Sequence, residues 1–259
     1  MKPLIIKEIP LGVGAPKTIV PLMSTQQEDL AAQARCAVQA GADCLEWRID
    51  FLDAHVSPSE IVHQAAALTN AYPHNPVLVT FRSKEQGGQG SLSSQDQVAL
   101  ITSLIDEHAA DLVDIEIGLG ERAVRSLTKA AREQGVASVV SFHDFTATPP
   151  SDDIVELIRQ MRTWGADIAK VATMARAQSD AFELMRATAV CARADEGPLV
   201  AMAMGKEGVI TRLAGETFGS ALTFCSVSGT SAPGQVELAE ARRIINLLHD
   251  ALAHDELAE

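Results

Sequence analysis

The sequence predicts an α/β fold, a (β/α)8 TIM barrel with a short N-terminal hairpin, and two observations carry that prediction. Short, nearly all-apolar runs alternate with longer amphipathic segments along the 259 residues. The alternation repeats eight times, and eight strand–helix units in about 250 residues suit a closed barrel. A third observation argues against the main rival. A doubly wound open sheet usually carries G-x-G-x-x-G after its first strand. Here Gly12-Val13-Gly14 precedes the first candidate strand and lacks the third glycine.

The elements follow in order. Leu4–Ile9 and the glycine-rich turn after it suggest a small hairpin outside the eight units. The candidate strands are Thr18–Met23, Cys44–Ile49, Val77–Arg82, Leu112–Ile117, Ala137–His143, Ile168–Ala172, Leu199–Met204 and Ala221–Ser226. Continuous apolar runs of this length fit parallel strands covered on both faces. Helices are expected over Gln26–Ala40, Pro58–Asn70, Gln95–Glu107, Glu121–Gln134, Asp152–Trp164, Ser179–Ala194, Val209–Phe218 and Gln235–Ala253. Ser57-Pro58-Ser59-Glu60 reads as a full capping box, and Thr25-Gln26-Gln27-Glu28 repeats its logic. Gly-Ala-Asp recurs at Gly41–Asp43 and Gly165–Asp167, each time between helix and strand, which hints at a repeated unit. Nothing resembling a linker interrupts the chain, so residues 1–259 are read as one barrel domain.

Composition narrows the partners. Aromatic residues are 4% of a chain that is 47% hydrophobic, so the core must be built from Ala, Val, Leu and Ile. A formal net charge of −13 repels phosphate backbones and anionic lipid, which argues against nucleic acid and membrane partners. An anionic small molecule would need a local cluster of Arg and Lys. Cys36, Cys44, Cys191 and Cys225 form no C-x-x-C pair, as expected of a reduced cytoplasmic protein. No stretch approaches the roughly 20 apolar residues that cross a bilayer, and residues 1–10 lack the apolar core of a signal peptide.

In a barrel, chemistry gathers where strands end and βα loops begin. Several candidate strands carry charge there. Alternation points Glu46 and Arg48 the same way. Arg82, Glu116 and His143-Asp144 stand at other strand ends, and Lys170 lies within Asp167-Ile168-Ala169-Lys170-Val171-Ala172. A lysine amid small apolar residues needs a partner or a task. By itself it leaves two readings open, a structural ion pair across the barrel and a nucleophile. An unperturbed lysine titrates at about 10.4, so burial or nearby positive charge must generate the neutral amine that attacks ketones. Arg48 and Arg82 are plausible sources. His143 alone reads equally as a structural residue, but the adjacent strand brings it close to Lys170. Arg48 and Arg82 have an ion-pair alternative with Glu46 or Glu116. No histidines show metal-ligand spacing, so no metal site is expected. Gly205–Gly208 and Gly229–Gly234 fall where many barrels bind phosphate, though glycine there is also ordinary loop chemistry.

Taken together, the motifs resemble one family. Glu46-Trp47-Arg48, Phe81-Arg82, His143-Asp144-Phe145, Lys170, Met202-Ala203-Met204-Gly205, Arg212-Leu213-Ala214-Gly215 and Ser231-Ala232-Pro233-Gly234-Gln235 are similar, in order and spacing, to those of type I 3-dehydroquinate dehydratases. The resemblance runs from Gly14-Ala15-Pro16-Lys17 to the last helix. It implies a shikimate-pathway barrel enzyme with no cofactor and no metal, often a homodimer. It matches Lys170 to a Schiff-base lysine and His143 to a proton-transfer histidine. Glu46, Arg48, Arg82, Arg212, Ser231 and Gln235 match positions that bind the substrate, 3-dehydroquinate. The loop after the last barrel strand is expected to close as a lid. Two positions depart from the pattern. Gln86 stands where the family usually has Glu, keeping a hydrogen bond and losing a charge, and Pro21 stands where relatives often have Ser. The rival readings are a class I aldolase, which also forms a lysine imine, and a silent barrel that only binds a shikimate-like metabolite.

Overall fold

The computed structural model describes residues 2–53, 55–194, 196–227, 229 and 231–255. Ser228 and Thr230, in the loop singled out above, lie outside the described residues. The chain opens with an antiparallel hairpin, β1 (Leu4–Ile6) and β2 (Ile9–Leu11). Its turn falls at Lys7-Glu8, where Lys7 takes a positive φ of 52°, and the expected glycine-rich turn comes after it.

The barrel strands are β3 (Lys17–Leu22), β4 (Cys44–Arg48), β5 (Val77–Thr80), β6 (Leu112–Glu116), β7 (Ala137–Asp144), β8 (Ile168–Met174), β9 (Leu199–Met204) and β10 (Leu222–Ser226). From β3 to β9 each strand pairs in parallel with the next, and β10 pairs with β3. The seam between β9 and β10 is bridged by the Ala221 N–H, which donates to the Leu199 carbonyl at 2.7 Å. A two-residue strand, β11 (Val236–Glu237), extends the sheet beside β10. The helices are α1 (Gln27–Gln39), α2 (Pro58–Ala71), α3 (Ser94–Asp106), α4 (Glu121–Gln134), α5 (Ser151–Thr163), α6 (Gln178–Ala192), α7 (Ile210–Leu213), α8 (Gly215–Phe218) and α9 (Leu238–Asp255). The single helix expected over Val209–Phe218 is thus two short ones. The chain breaks at Ala214 before Gly215, a poor helix former packed against Pro16 and the Ser220 carbonyl.

Local chemistry accounts for the boundaries. At α2 the Ser57 hydroxyl accepts the Glu60 N–H at 3.3 Å, one arm of the expected capping box; the Glu60 carboxylate instead accepts from Gln64. The cap expected at Thr25 is not formed, because α1 begins after Gln26, whose side chain makes no capping bond. The Gly-Ala-Asp repeat has a structural meaning. Asp43 accepts the N–H and hydroxyl of Thr18 on the preceding strand at 2.7 Å each. Asp167 accepts the same pair of groups from Ser138 at 2.9 and 2.7 Å.

The interior is layered. At the hairpin end, each barrel strand contributes one inward apolar side chain: Ile19, Cys44, Leu78, Leu112, Val139, Ile168, Val200 and Leu222. Leu11 of β2 plugs this layer from below. A fully buried side chain of this kind contributes roughly 1.5–3 kcal/mol. The outer faces of the strands pack on the helices around Trp47, Val113, Val140 and Ala201. Two residues further along seven of these inward rows, the side chains become Glu46, Thr80, Asp114, Ser141, Lys170, Met202 and Phe224, all buried except at the cavity they begin to line, while the β3 row reaches the buried Pro21. A dry apolar floor therefore lies directly beneath a polar layer.

Candidate active site

That polar layer and the next turn of strand ends enclose one cavity. It is lined by Glu46, Arg48, Arg82, Gln86, His143, Lys170, Arg212 and Ser231, with Phe145, Met202, Met204, Phe224 and Ala232 as apolar walls. Seven of the eight site residues expected from sequence therefore share one space. The eighth, Gln235, stands behind it. Its Oε1 accepts the Ser231 N–H at 2.8 Å and its Nε2 donates to the Cys225 carbonyl at 3.0 Å, so it braces the loop that carries Ser231.

Lys170 rises from the middle of β8 with 3% of its surface exposed. Its Nζ lies 3.5 Å from Glu46 Oε1 and 3.6 Å from Asp114 Oδ2, beyond the roughly 2.7–2.9 Å of a charge-assisted hydrogen bond. The ring of Phe224 lies 4.3 Å away. The neighbouring carboxylates are engaged elsewhere: Glu46 accepts from Thr80 at 2.9 Å and Asp114 from Arg82 at 2.7 Å. Burial holds the Lys170 amine below its ordinary range. Glu46 and Asp114 oppose that effect, while Arg82 and Arg48 add to it.

His143 sits one strand away, at the end of β7. Its backbone N–H donates to Gln86 Oε1 at 2.9 Å, and Nδ1 lies 3.2 Å from the same oxygen. An amide oxygen only accepts, so Nδ1 carries the proton and Nε2 keeps its lone pair. Burial, with the charges of Arg82, Lys170 and Arg48, holds His143 well below 6.5. Gln86 is buried while Glu85 is exposed, so Gln86 alone of the two approaches the histidine.

The guanidinium groups differ. Arg82 is anchored on three sides, by Asp114 at 2.7 Å, Glu116 at 2.8 Å and Ser141 at 3.0 Å. Of the ion pairs with Glu46 or Glu116 left open as an alternative, Arg82–Glu116 forms, while Arg48 pairs with Asp50. Arg212 comes from α7 and is 2% exposed. Its Nη2 donates to the Pro233 carbonyl at 3.1 Å, and its buried Nε has no partner among the described residues. Burial lowers its pKa to about 10, so it stays charged near neutrality. Arg48 and Arg82 are each matched by acids, so Arg212, which pairs with no carboxylate among the described residues, is the cation left for an anionic ligand on a chain of net charge −13.

Sequence reasoning overlooked Asp114 and Asp50. Asp114 was detectable, since alternation on β6 places it on the same row as Glu116. Asp50 lies past the end of β4 in a short 3-10 turn, where no strand period points it anywhere.

Fold and site together define a (β/α)8-barrel enzyme whose pocket opens at the C-terminal ends of the strands. Comparison with known proteins supplies the family. The type I 3-dehydroquinase model matches residues 18–251. A 3-dehydroquinate dehydratase from Salmonella agona is 39% identical over 253 residues, which is 97% of this chain and all of that protein. A crystal structure of 3-dehydroquinate dehydratase from Geobacillus kaustophilus superposes with a TM-score of 0.92 at 35% identity, covering 96% of this chain and 97% of that one. The type I enzyme of Clostridium difficile, solved with covalently modified comenic acid, gives 0.91 at 33%, covering 96% and 98%. The chain belongs to the type I 3-dehydroquinase family, whose activity is that of a hydro-lyase.

Proposed function

We propose that this chain, as one barrel domain, dehydrates 3-dehydroquinate to 3-dehydroshikimate through an imine on Lys170, with His143 moving the protons. The observation that carries the reading is a buried amine without a short hydrogen bond, sharing its cavity with a neutral imidazole. The amine adds to the ketone, and loss of water gives the iminium. This withdraws electrons from the adjacent carbon, so its C–H becomes acidic. His143 Nε2 takes that proton, leaving an enamine. The enamine then expels the β-hydroxyl, which leaves as water with the proton returned by His143. Hydrolysis of the conjugated imine frees the product and the amine. The imine is itself the electron sink, so the scheme requires no cofactor and no metal.

Binding roles follow from chemistry. Arg212, held close to Ser231, suits the substrate carboxylate, because a guanidinium offers paired donors to two oxygens. Glu46, Arg48 and Arg82 suit the ring hydroxyls, and Gln235 holds the Ser231 loop across the mouth. The reading extends to a cytoplasmic homodimer in the shikimate pathway. It is supported by the activity of the relatives and by four free cysteines. No helix among the described residues is long and apolar enough to cross a membrane.

Borohydride reduction during incubation with substrate, followed by peptide mapping, tests the scheme. The expected result is a lasting mass gain on Lys170 with dehydroquinate and none with sugar phosphates, which also separates it from an aldolase. In the His143→Ala variant the adduct still forms while enone absorbance rises at least about a hundredfold more slowly. Tight binding without any rise in absorbance by the unsubstituted protein would sink the dehydratase reading in favour of a silent binder.

A further inference from the structure

We propose that Asp50 is a positioning residue that aims Arg48 into the pocket and thereby sets substrate affinity; the proposal rests on the reading of this cavity as the dehydroquinate site. Asp50 is a buried carboxylate just beyond β4, in the turn Ile49–Phe51. Arg48 Nε donates to its Oδ1 at 2.7 Å and Arg48 Nη2 to its Oδ2 at 2.8 Å, a two-pronged pair. The Arg48 guanidinium also lies 5.1 Å over the Phe51 ring. Among the described residues Arg48 Nη1 donates to no protein group, yet Arg48 lines the cavity. The clamp thus fixes the plane of the guanidinium and leaves one edge for a ligand.

Asp50 has a third contact. Its Oδ2 accepts the Gln89 N–H at 3.0 Å, in the loop after β5 that also presents Gln86 to His143. Every group facing Asp50 is therefore a donor. Asparagine cannot satisfy this set, because its amide offers one acceptor and one donor, and either orientation turns an NH2 toward an N–H. The loop keeps its other ties, from Ser83 N–H to Glu116 and from His143 N–H to Gln86 Oε1. Losing the Asp50 carboxylate consequently acts on Arg48 and on binding more than on proton transfer.

The test measures KM and kcat for dehydroquinate, and the dissociation constant of dehydroshikimate by calorimetry. The proteins are the full chain, Asp50→Asn, Asp50→Glu, Arg48→Ala and Arg48→Ala with Asp50→Asn. In Asp50→Asn, KM and the product constant should each rise about tenfold, as for loss of a charge-assisted contact, with kcat held within about threefold. In the Arg48→Ala background the same change should move either constant less than about twofold, since the group it positions is gone. A purely structural Asp50 would weaken both backgrounds equally, or lower kcat with KM unchanged; either result overturns the proposal. Should Asp50→Asn not fold, Asp50→Glu keeps the charge but displaces it by a methylene, and the same split decides. Product binding needs no turnover, so a silent full chain would sink the dehydratase reading while the Asp50 comparison still stands. Failure of the full chain to bind product would sink both.

Discussion

The Lys170 amine and the Arg82 guanidinium share one oxygen: Asp114 Oδ2 lies 3.6 Å from Lys170 Nζ and 2.7 Å from Arg82 Nη2. The shorter contact belongs to Arg82, and Ser141 takes the other oxygen of Asp114 at 2.6 Å. Asp114 therefore acts on Lys170 through its field and not as an anchor. Burial pushes the Asp114 carboxyl up, yet Arg82 and Lys170 together hold it below its ordinary range. The amine thus has no short hydrogen bond to break before it reacts.

Removing that field gives the first prediction. Asp114→Asn leaves Arg82 short of one buried partner and lowers unfolding free energy by about 3 kcal/mol, measured by denaturant titration. It also removes a charge that raises the Lys170 pKa. The pH midpoint for borohydride trapping of the imine should move down. An upward movement would contradict the arrangement described here.

The second prediction concerns Gln86. Wild-type His143 titrates well below 6.5, since burial and three cationic neighbours disfavour its charged form. The acidic limb of kcat, read once the imine has consumed the Lys170 amine, should thus lie below that value. Gln86→Glu places a carboxylate where the amide oxygen now sits 3.2 Å from Nδ1, which favours the imidazolium and shifts the limb upward. Stability follows the same sign. The unfolded chain binds this proton more readily than the folded one. The His143 contribution is complete above about 6.5 and declines as pH falls toward the folded value. Gln86→Glu should shrink that decline, as read from denaturation midpoints across pH. An unmoved limb would show that residue 86 does not control the histidine.

Most of this site was legible because a buried parallel strand writes its inward row at every second position. Glu46 with Arg48 and His143 beside Lys170 stand out for that reason, as charges in apolar runs. What alternation hides is partner choice. Arg48 reaches Asp50 in the following turn rather than Glu46 on its own row, a contact set by where the chain turns after β4. Arg82 takes two acids from β6, and only the sideways pairing of strands shows both within reach. The break of the penultimate helical segment at Ala214 was likewise invisible, because it depends on Gly215 packing against Pro16, distant in the chain, as well as against Ser220 just downstream.

Gly87 supports a third prediction. Its φ is +80°, and a Cβ there would lie 2.2 Å from the Phe145 ring. Gly87→Ala combines a left-handed strain of about 1 kcal/mol with a displaced loop. Because Gln86 adjoins it and orients His143, kcat should fall about tenfold while imine trapping persists. Adding Phe145→Ala relieves the steric part and should recover some of the loss. Equal activity of Gly87→Ala and the unsubstituted chain would mean that the loop tolerates movement without disturbing the histidine.

Arg212 carries the last prediction. Its buried Nε has no protein partner, and Nη2 donates to the Pro233 carbonyl of the loop beside Ser231. An incoming carboxylate would meet a guanidinium held in place by that loop, whose Nη1 is engaged only by the weak acceptor Met202 Sδ at 3.7 Å. Lysine offers one point charge and reaches no two oxygens in a plane. Arg212→Lys should therefore raise KM about tenfold or more with a smaller change in kcat. With its pKa lowered to about 10 by burial, Arg212 remains charged from pH 6 to 8, so its contribution to KM should be flat there and fall only near pH 10. Should Arg212→Lys leave KM intact, or should its effect titrate near neutrality, another cation must hold the carboxylate.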